Sequence, residues 1–206
     1  ADLFGAAGAD RIMSLDLHTA QIQGFFNGPL DHLTALPVLA DYVAKKYDLS
    51  EMTVVSPDAG RVRLADTWCD QLGAPLAIIH KRHDPNLANT VKVHEVVGDV
   101  KGRTCLLVDD MVDTAGTICQ ASEALLEHGA KKVICAATHA ILSDPAPERI
   151  NATPFEEIIF TNTLPIAEGI EIPKMTVLSI APLLAQAIHE IFEDGSVTSL
   201  FHGSIG

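Results

Sequence analysis

Cysteine is sparse and scattered. Cys69, Cys105, Cys119 and Cys135 contain no Cys-x-x-Cys pair, which argues against a zinc site or disulfide framework and for packed, reduced thiols. Long apolar runs are missing too: none approaches the roughly 18 residues of a membrane span, and the N-terminus lacks the charged and apolar regions of a signal peptide. The expectation is a cytosolic, cytoplasmic protein with no membrane partner. Positive charge is scarce, 14 Lys and Arg against 27 Asp and Glu for a formal charge of -13. A nucleic-acid surface needs clustered positive charge, so no nucleic-acid partner is expected. No internal repeat or low-complexity tract occurs. What is present is a chain of 206 residues, 48% hydrophobic, which excludes general disorder and suffices for one large domain or two small ones.

Apolar strand-like runs recur at Ile12 to Leu17, Met52 to Ser56, Leu76 to His80, Arg103 to Val108, Lys132 to Thr138, Glu157 to Phe160 and Met175 to Ile180. Helical patterns occupy His32 to Tyr47, Arg61 to Leu72, Ile118 to His128 and Pro182 to Phe192, with Gly129 a stop for the third. Strands alternating with helices predict parallel β-α units and an α/β fold. Residues 82–98 break the alternation, being polar first and then alternating at Thr90 to Val97, and read as a mobile loop followed by a strand or hairpin arm. Ala1 to Gly8 reads as the tail of a helix.

Cys105 to Thr117, CLLVDDMVDTAGT, joins an apolar strand, paired acids and a small-residue turn to the start of a helix. In open α/β sheets ligands bind outside the carboxyl ends of the strands, where Asp109 and Asp110 fall. Asp113, Thr114, Ala115, Gly116 and Thr117 lead into a helix beginning near Ile118, whose N–H groups and positive dipole end suit a phosphate. The plainer alternative is a corner in which Asp113 caps the helix and the other acids are solvated. Three acids in five residues repel one another, and a metal ion or sugar hydroxyls would resolve the crowding. In so acidic a chain, phosphate chemistry calls for Mg²⁺ or a few placed cations.

Three further segments carry chemistry. Ser14 to Phe26, SLDLHTAQIQGFF, puts Asp16 and His18 at a strand end, suited either to metal binding or to a structural histidine. Val54 to Ala65, VVSPDAGRVRLA, places Asp58 in good turn chemistry beside Gly60 and Arg61. Lys81, Arg82 and His83 form a small cationic cluster after the strand at Leu76 to His80, in a run that is usually a solvated loop.

Taken in order, these segments resemble the PRPP synthetases (ribose-phosphate diphosphokinases), with actinobacterial-type members the nearest in character. The run at Cys105 to Thr117 looks like the PRPP motif shared with type I phosphoribosyltransferases, whereas DLH followed by QIQGFF is similar to the synthetases alone. Thr138-His139, SDPAPERI at Ser143 to Ile150, TNTL at Thr161 to Leu164 and SVTSLF at Ser196 to Phe201 extend the resemblance nearly to the C-terminus. The resemblance implies a phosphoribosyltransferase type I-like parallel sheet flanked by helices, plus part of a second similar domain. The expected division is 1–35 as a remnant of the N-terminal domain, 36–190 as the C-terminal domain with the PRPP motif, and 191–206 as a tail.

It also implies transfer of the diphosphoryl group of ATP to the anomeric hydroxyl of ribose 5-phosphate, with Mg²⁺ as cofactor and a homo-oligomer of dimers assembling to a hexamer. His18, Asp58 and Asp16 would hold the metal, Lys81 would be catalytic, and His83 with Asp109, Asp110, Asp113, Thr114, Ala115, Gly116 and Thr117 would bind ribose 5-phosphate. Two departures stand out. His83 replaces an arginine of the family's catalytic loop, and Gly60-Arg61 stands where many members have adjacent glycines. The family's N-terminal portion, with its adenine-binding loops, is not in this sequence, so the first 30 residues are expected to expose apolar surface. Alternatives are a noncatalytic partner or fragment that binds ribose phosphates, and a purine or pyrimidine phosphoribosyltransferase.

Overall fold

The computed structural model describes residues 1–83 and 92–197, leaving out the side chains of 81–94. It divides into two compact units, Ala1–Val38 with the chain from Ser179 onward, and Leu39–Leu178.

The smaller unit starts with α1 (Asp2–Ala6), which buries no residue. Leu3, Phe4 and Phe25 are 85%, 61% and 70% exposed, the apolar surface expected of this segment. β1 (Ile12–Leu15) and β2 (Leu30–Leu33) pair in parallel, Ile12 with Leu30 through Leu15 with Leu33. Two expectations are corrected here. The first strand stops at Leu15 rather than Leu17 because Asp16, at φ 41°, turns the chain out of the sheet. His32 belongs to β2 and not to a helix: pairing with β1 takes residues 30–33, and Thr34 Oγ1 accepts from Leu36 N at 3.2 Å where α2 (Leu36–Lys46) begins.

In the larger unit β3 (Met52–Ser56), α3 (Val62–Leu72), β4 (Leu76–His83), β5 (Lys92–Val97), β6 (Thr104–Val112), α4 (Gly116–Glu127), β7 (Lys132–Ala140), α5 (Ala146–Ala152), β8 (Glu157–Thr161) and β9 (Met175–Leu178) follow in order. The sheet reads β5-β4-β3-β6-β7-β8-β9 and is parallel except for the β4–β5 pair. β3 and β8 are buried along their whole length, as strands covered on both faces must be, which is why they read as unbroken apolar runs. Val55, Leu107, Leu125, Cys135, Ile150 and Phe160 belong to one core.

The thiols of Cys105, Cys119 and Cys135 are buried and unpaired by disulfides. Burial pushes Cys105 up to about 12, so it packs as a small apolar side chain.

Several element ends differ from expectation. β4 runs to His83, because the cationic segment pairs its backbone with β5, His83 opposite Lys92. β6 continues past the two acids to Val112, held by β7 through Val112 opposite Ala140. α4 starts at Gly116, and Gly129 at φ 87° ends it by donating to Leu126 O at 3.0 Å. α5 carries no clear helical pattern; Pro145 precedes it and Pro147 sits in its first turn, where a missing N–H costs nothing. α6 (Ala181–Phe192) returns the chain to the smaller unit. Most of the expected tail, including the greater part of SVTSLF, lies outside the described residues.

Candidate functional site

The strand order reverses between β3 and β6: from β3 the chain goes outward to β4 and β5, then crosses back to β6 and continues to β9. At such a switch point the loops leaving the two strands diverge to opposite sides and open a crevice. A cavity of about 240 Å³ lies here, lined by Asp58 and Arg61 after β3 and by residues 109–118 of β6 and the loop into α4. It is below the roughly 300 to 1,000 Å³ of sites for drug-sized ligands, a size for a small polar molecule.

On the β3 side, Ser56 Oγ donates to the Asp58 carbonyl at 2.7 Å. Asp58 Oδ1 accepts from Gly60 N at 2.8 Å and Arg61 N at 3.1 Å, capping the 3₁₀ turn Ala59–Arg61 that feeds α3. The turn reading and a ligand-binding reading of Asp58 are therefore compatible, since one carboxylate does the capping at the cavity edge.

On the β6 side, β3 pairs with β6 only as far as Val55 opposite Leu107, so Asp109 and Asp110 stand beyond its end, facing the β3–α3 turn. Arg61 reaches across that gap. Its Nε lies 3.0 Å from Asp109 Oδ1 and its Nη2 3.0 Å from Asp110 Oδ1. Asp110 is only 7% exposed. Burial, with the hydrogen bond to the Asp110 side chain, pushes the Asp109 carboxyl up to about 7 against the opposing pull of Arg61. Arg61 is the residue that sequence reasoning misses in this role. The crowding of acids is legible; a cation three residues past Asp58 is its only local signal.

Asp113 and Thr114 are exposed. Ala115 sits in the left-handed region at φ 59°, and α4 begins after it with no side chain capping its N-terminus. Asp113 is thus not the cap. The first-turn N–H groups at Gly116, Thr117 and Ile118 point toward the cavity end of the helix, the arrangement that binds anions. Arg149 of α5 braces the loop, donating from Nη1 to Thr114 O at 3.0 Å.

The cavity brings together Asp58, Asp109, Asp110, Asp113, Thr114, Ala115, Gly116 and Thr117. Lys81 and His83 lie near the end of β4, backbone-paired with His94 and Lys92, and their side chains lie outside the described residues, as does the loop 84–91. Asp16 and His18 belong to the smaller unit. There Asp16 Oδ2 accepts from Ala35 N at 2.9 Å and His18 is exposed. His32, read in the sequence only as a helix start, accepts from Leu17 N through Nε2 at 2.8 Å and has Gln23 Nε2 3.2 Å from its Nδ1, so it holds the Asp16-Leu17-His18 turn in place.

Among the described residues no three His, Cys, Asp or Glu groups converge as a metal cage. The cavity donors Asp58, Asp109 and Asp110 are hard carboxylate oxygens. Of these, Asp58 fits Mg²⁺, which takes one or two carboxylates and completes its shell with water and substrate phosphate, whereas Asp109 and Asp110 are ion-paired to Arg61.

The profile of the phosphoribosyl synthetase-associated domain matches residues 84–202. A ribose-phosphate pyrophosphokinase of Streptomyces coelicolor is 67% identical over 201 residues, 98% of this chain and 62% of the relative. That of Mycobacterium tuberculosis strain H37Rv is 56% identical over 204 residues, 98% of this chain and 63% of the relative. The crystal structure of phosphoribosylpyrophosphate synthetase from Mycobacterium smegmatis superimposes with a TM-score of 0.86 at 56% identity, covering 95% of this chain and 63% of that one. The chain thus spans a little under two thirds of the length of these relatives.

Proposed function

The chain belongs to the phosphoribosyl synthetase-associated domain family, and from that footing we propose that its cavity binds ribose 5-phosphate for a ribose-phosphate diphosphokinase reaction. The observation that carries this is the pairing, in one crevice at the switch point, of two adjacent carboxylates with an uncapped helix N-terminus. Carboxylates accept from vicinal sugar hydroxyls, and backbone N–H groups hold a phosphate.

In the proposed reaction the anomeric oxygen of ribose 5-phosphate attacks the β-phosphorus of ATP. The new O–P bond forms as the bridging bond to the α-phosphate breaks, AMP leaves with that oxygen, and the hydroxyl proton is lost to solvent. Asp109 and Asp110 orient the sugar through its hydroxyls, while Asp113 to Thr117, braced by Arg149, hold the 5-phosphate. Lys81 is assigned to stabilise charge on the transferring group, and His83 is assigned to bind ribose 5-phosphate. Asp58 is assigned as a ligand of Mg²⁺; His18 and Asp16, in the smaller unit, are likewise assigned as metal ligands. Mg²⁺, when bound, offsets phosphate charge and polarises the transferring phosphoryl group. Most of the acceleration then comes from orientation.

Three further assignments go with this reading: a cytosolic protein, acting on ATP and ribose 5-phosphate, in a homo-oligomer of dimers assembling to a hexamer. No helix among the described residues is long and apolar enough to cross a membrane. The exposed Leu3, Phe4 and Phe25 supply apolar surface for association.

The test is AMP release with ATP, Mg²⁺ and ribose 5-phosphate, beside calorimetric titration of ribose 5-phosphate alone. Both signals are expected. Binding without AMP release would favour a noncatalytic ribose-phosphate binder, a reading to which His83 in place of arginine lends weight. Absence of both would sink the site assignment.

A further inference from the structure

Arg61 is the one cation among the described residues lining the cavity, and it spends its guanidinium on the two carboxylates that the sugar hydroxyls need. Asp109 Oδ1 is ion-paired with Arg61 Nε at 3.0 Å and accepts from Asp110 N at 2.9 Å, so that oxygen is already engaged on two sides. Asp110 is buried, and a buried carboxylate requires a partner.

The backbone of Arg61 is fixed through its N–H to Asp58 Oδ1, yet its side chain keeps 23% of its surface in solvent and has four rotatable bonds with which to swing. A guanidinium fork fits two oxygens of a phosphate as well as it fits carboxylates.

We infer that Arg61 is an ion-pair latch on the acid pair, released by the vicinal hydroxyls of the pentose and then transferred to the diphosphate at the anomeric carbon. The inference rests on the sugar-phosphate reading of the cavity. It makes Arg61 a competitor for the acceptor sugar and a ligand for the product. The two effects have opposite signs, which a purely structural arginine would not produce.

Calorimetric titrations of the full 206-residue chain and its Arg61→Gln variant with ribose 5-phosphate and, separately, with 5-phosphoribosyl 1-diphosphate test it. Removing the latch should tighten ribose 5-phosphate binding by about three- to tenfold, because less of the protein is held in the closed pairing. The same variant should bind the diphosphate-bearing product about tenfold more weakly relative to ribose 5-phosphate. Unchanged or weaker ribose 5-phosphate binding overturns the latch, and an unchanged preference between the two ligands overturns the transfer to diphosphate.

Should the Gln variant fail to give a cooperative thermal transition, Arg61→Lys keeps the charge while losing the fork. It is expected to tighten ribose 5-phosphate by about two- to threefold, and no change there overturns the latch equally. If neither native chain nor variants bind ribose 5-phosphate, the reading of the cavity falls and the latch with it. Binding that does not respond to position 61 removes the latch alone.

Discussion

At Asp109 opposing influences compete: burial and the neighbouring Asp110 carboxyl raise the proton affinity, Arg61 and the Asp110 N–H lower it, and the carboxyl is pushed up to about 7. The folded chain therefore holds this proton to a higher pH than the unfolded chain does. Stability from this group is greatest below the unfolded value of 3.8, declines as pH climbs to about 7, and is level above that. Asp109→Asn should flatten the decline. Between about pH 5 and pH 8 in urea denaturation, the native chain should lose more stability than the Asn-substituted chain, by on the order of 1 kcal/mol or more. Equal losses would mean that Asp109 ionises as easily folded as unfolded.

Ala115 makes a second residue-scale test. It occupies a left-handed conformation with its methyl buried in the core. Ala115→Gly trades strain relief against lost packing and should stay within about 0.5 kcal/mol of native. Ala115→Val puts a branched Cβ where such residues do not fit and should cost on the order of 2 kcal/mol by thermal denaturation while weakening ribose 5-phosphate binding.

Between elements, the larger unit is tied through Glu157 at the start of β8. Its carboxylate accepts from Tyr42 at 2.7 Å, Lys46 at 2.8 Å and Thr176 at 2.5 Å, and from Tyr47. Burial alone would raise this carboxyl, but the hydrogen bonds outweigh it and hold Glu157 down at about 2. Burial and then the bond to Glu157 push the Tyr47 phenol up, so it remains a donor. One side chain thus joins α2, β8 and β9. The stability it contributes is complete above the ordinary value of 4.5 and is lost as pH falls toward about 2. Glu157→Gln, which keeps the shape but not the charge, should destabilise by about 2 to 4 kcal/mol in urea at neutral pH and blunt the acid limb. An unchanged acid limb would place the acid-sensitive group elsewhere.

At the scale of the whole molecule, burial is unevenly distributed. β3 and β8 are buried throughout and β6 and β7 nearly so, whereas β1 is half-buried along its length and α1 buries nothing. Amide exchange tracks local opening, which is easiest where few apolar contacts resist it. Hydrogen exchange should therefore leave β3, β6 and β7 protected longest, with α1, β1 and β2 exchanging orders of magnitude sooner. Uniform protection across both units would contradict this gradient.

The α/β architecture was readable because strands buried on both faces must be written as unbroken apolar runs, and helices between them carry a different period. Met52–Ser56 appears with the same limits in sequence and structure, and α3, α4 and α6 begin within two residues of their patterns. β2 and the last residues of β4 and β6 were not readable, because strand length there is decided by a partner: β1 for Leu30–Leu33, β5 for His83 and β7 for Val112.

The same division runs through the site. The chemistry of Asp58, Asp109, Asp110 and the 113–117 turn is local, and local sequence announces it. Which cation meets those acids depends on β3 stopping short of Asp109, so that the turn after one strand faces the end of the next, and only the fold puts Arg61 in that gap. Likewise the acids in CLLVDDMVDTAGT marked a phosphate-sugar cradle, but its closure by an arginine distant in sequence is a property of the sheet order. Side-chain type is inherited from the chain, while the neighbour that sets its charge and availability is supplied by packing.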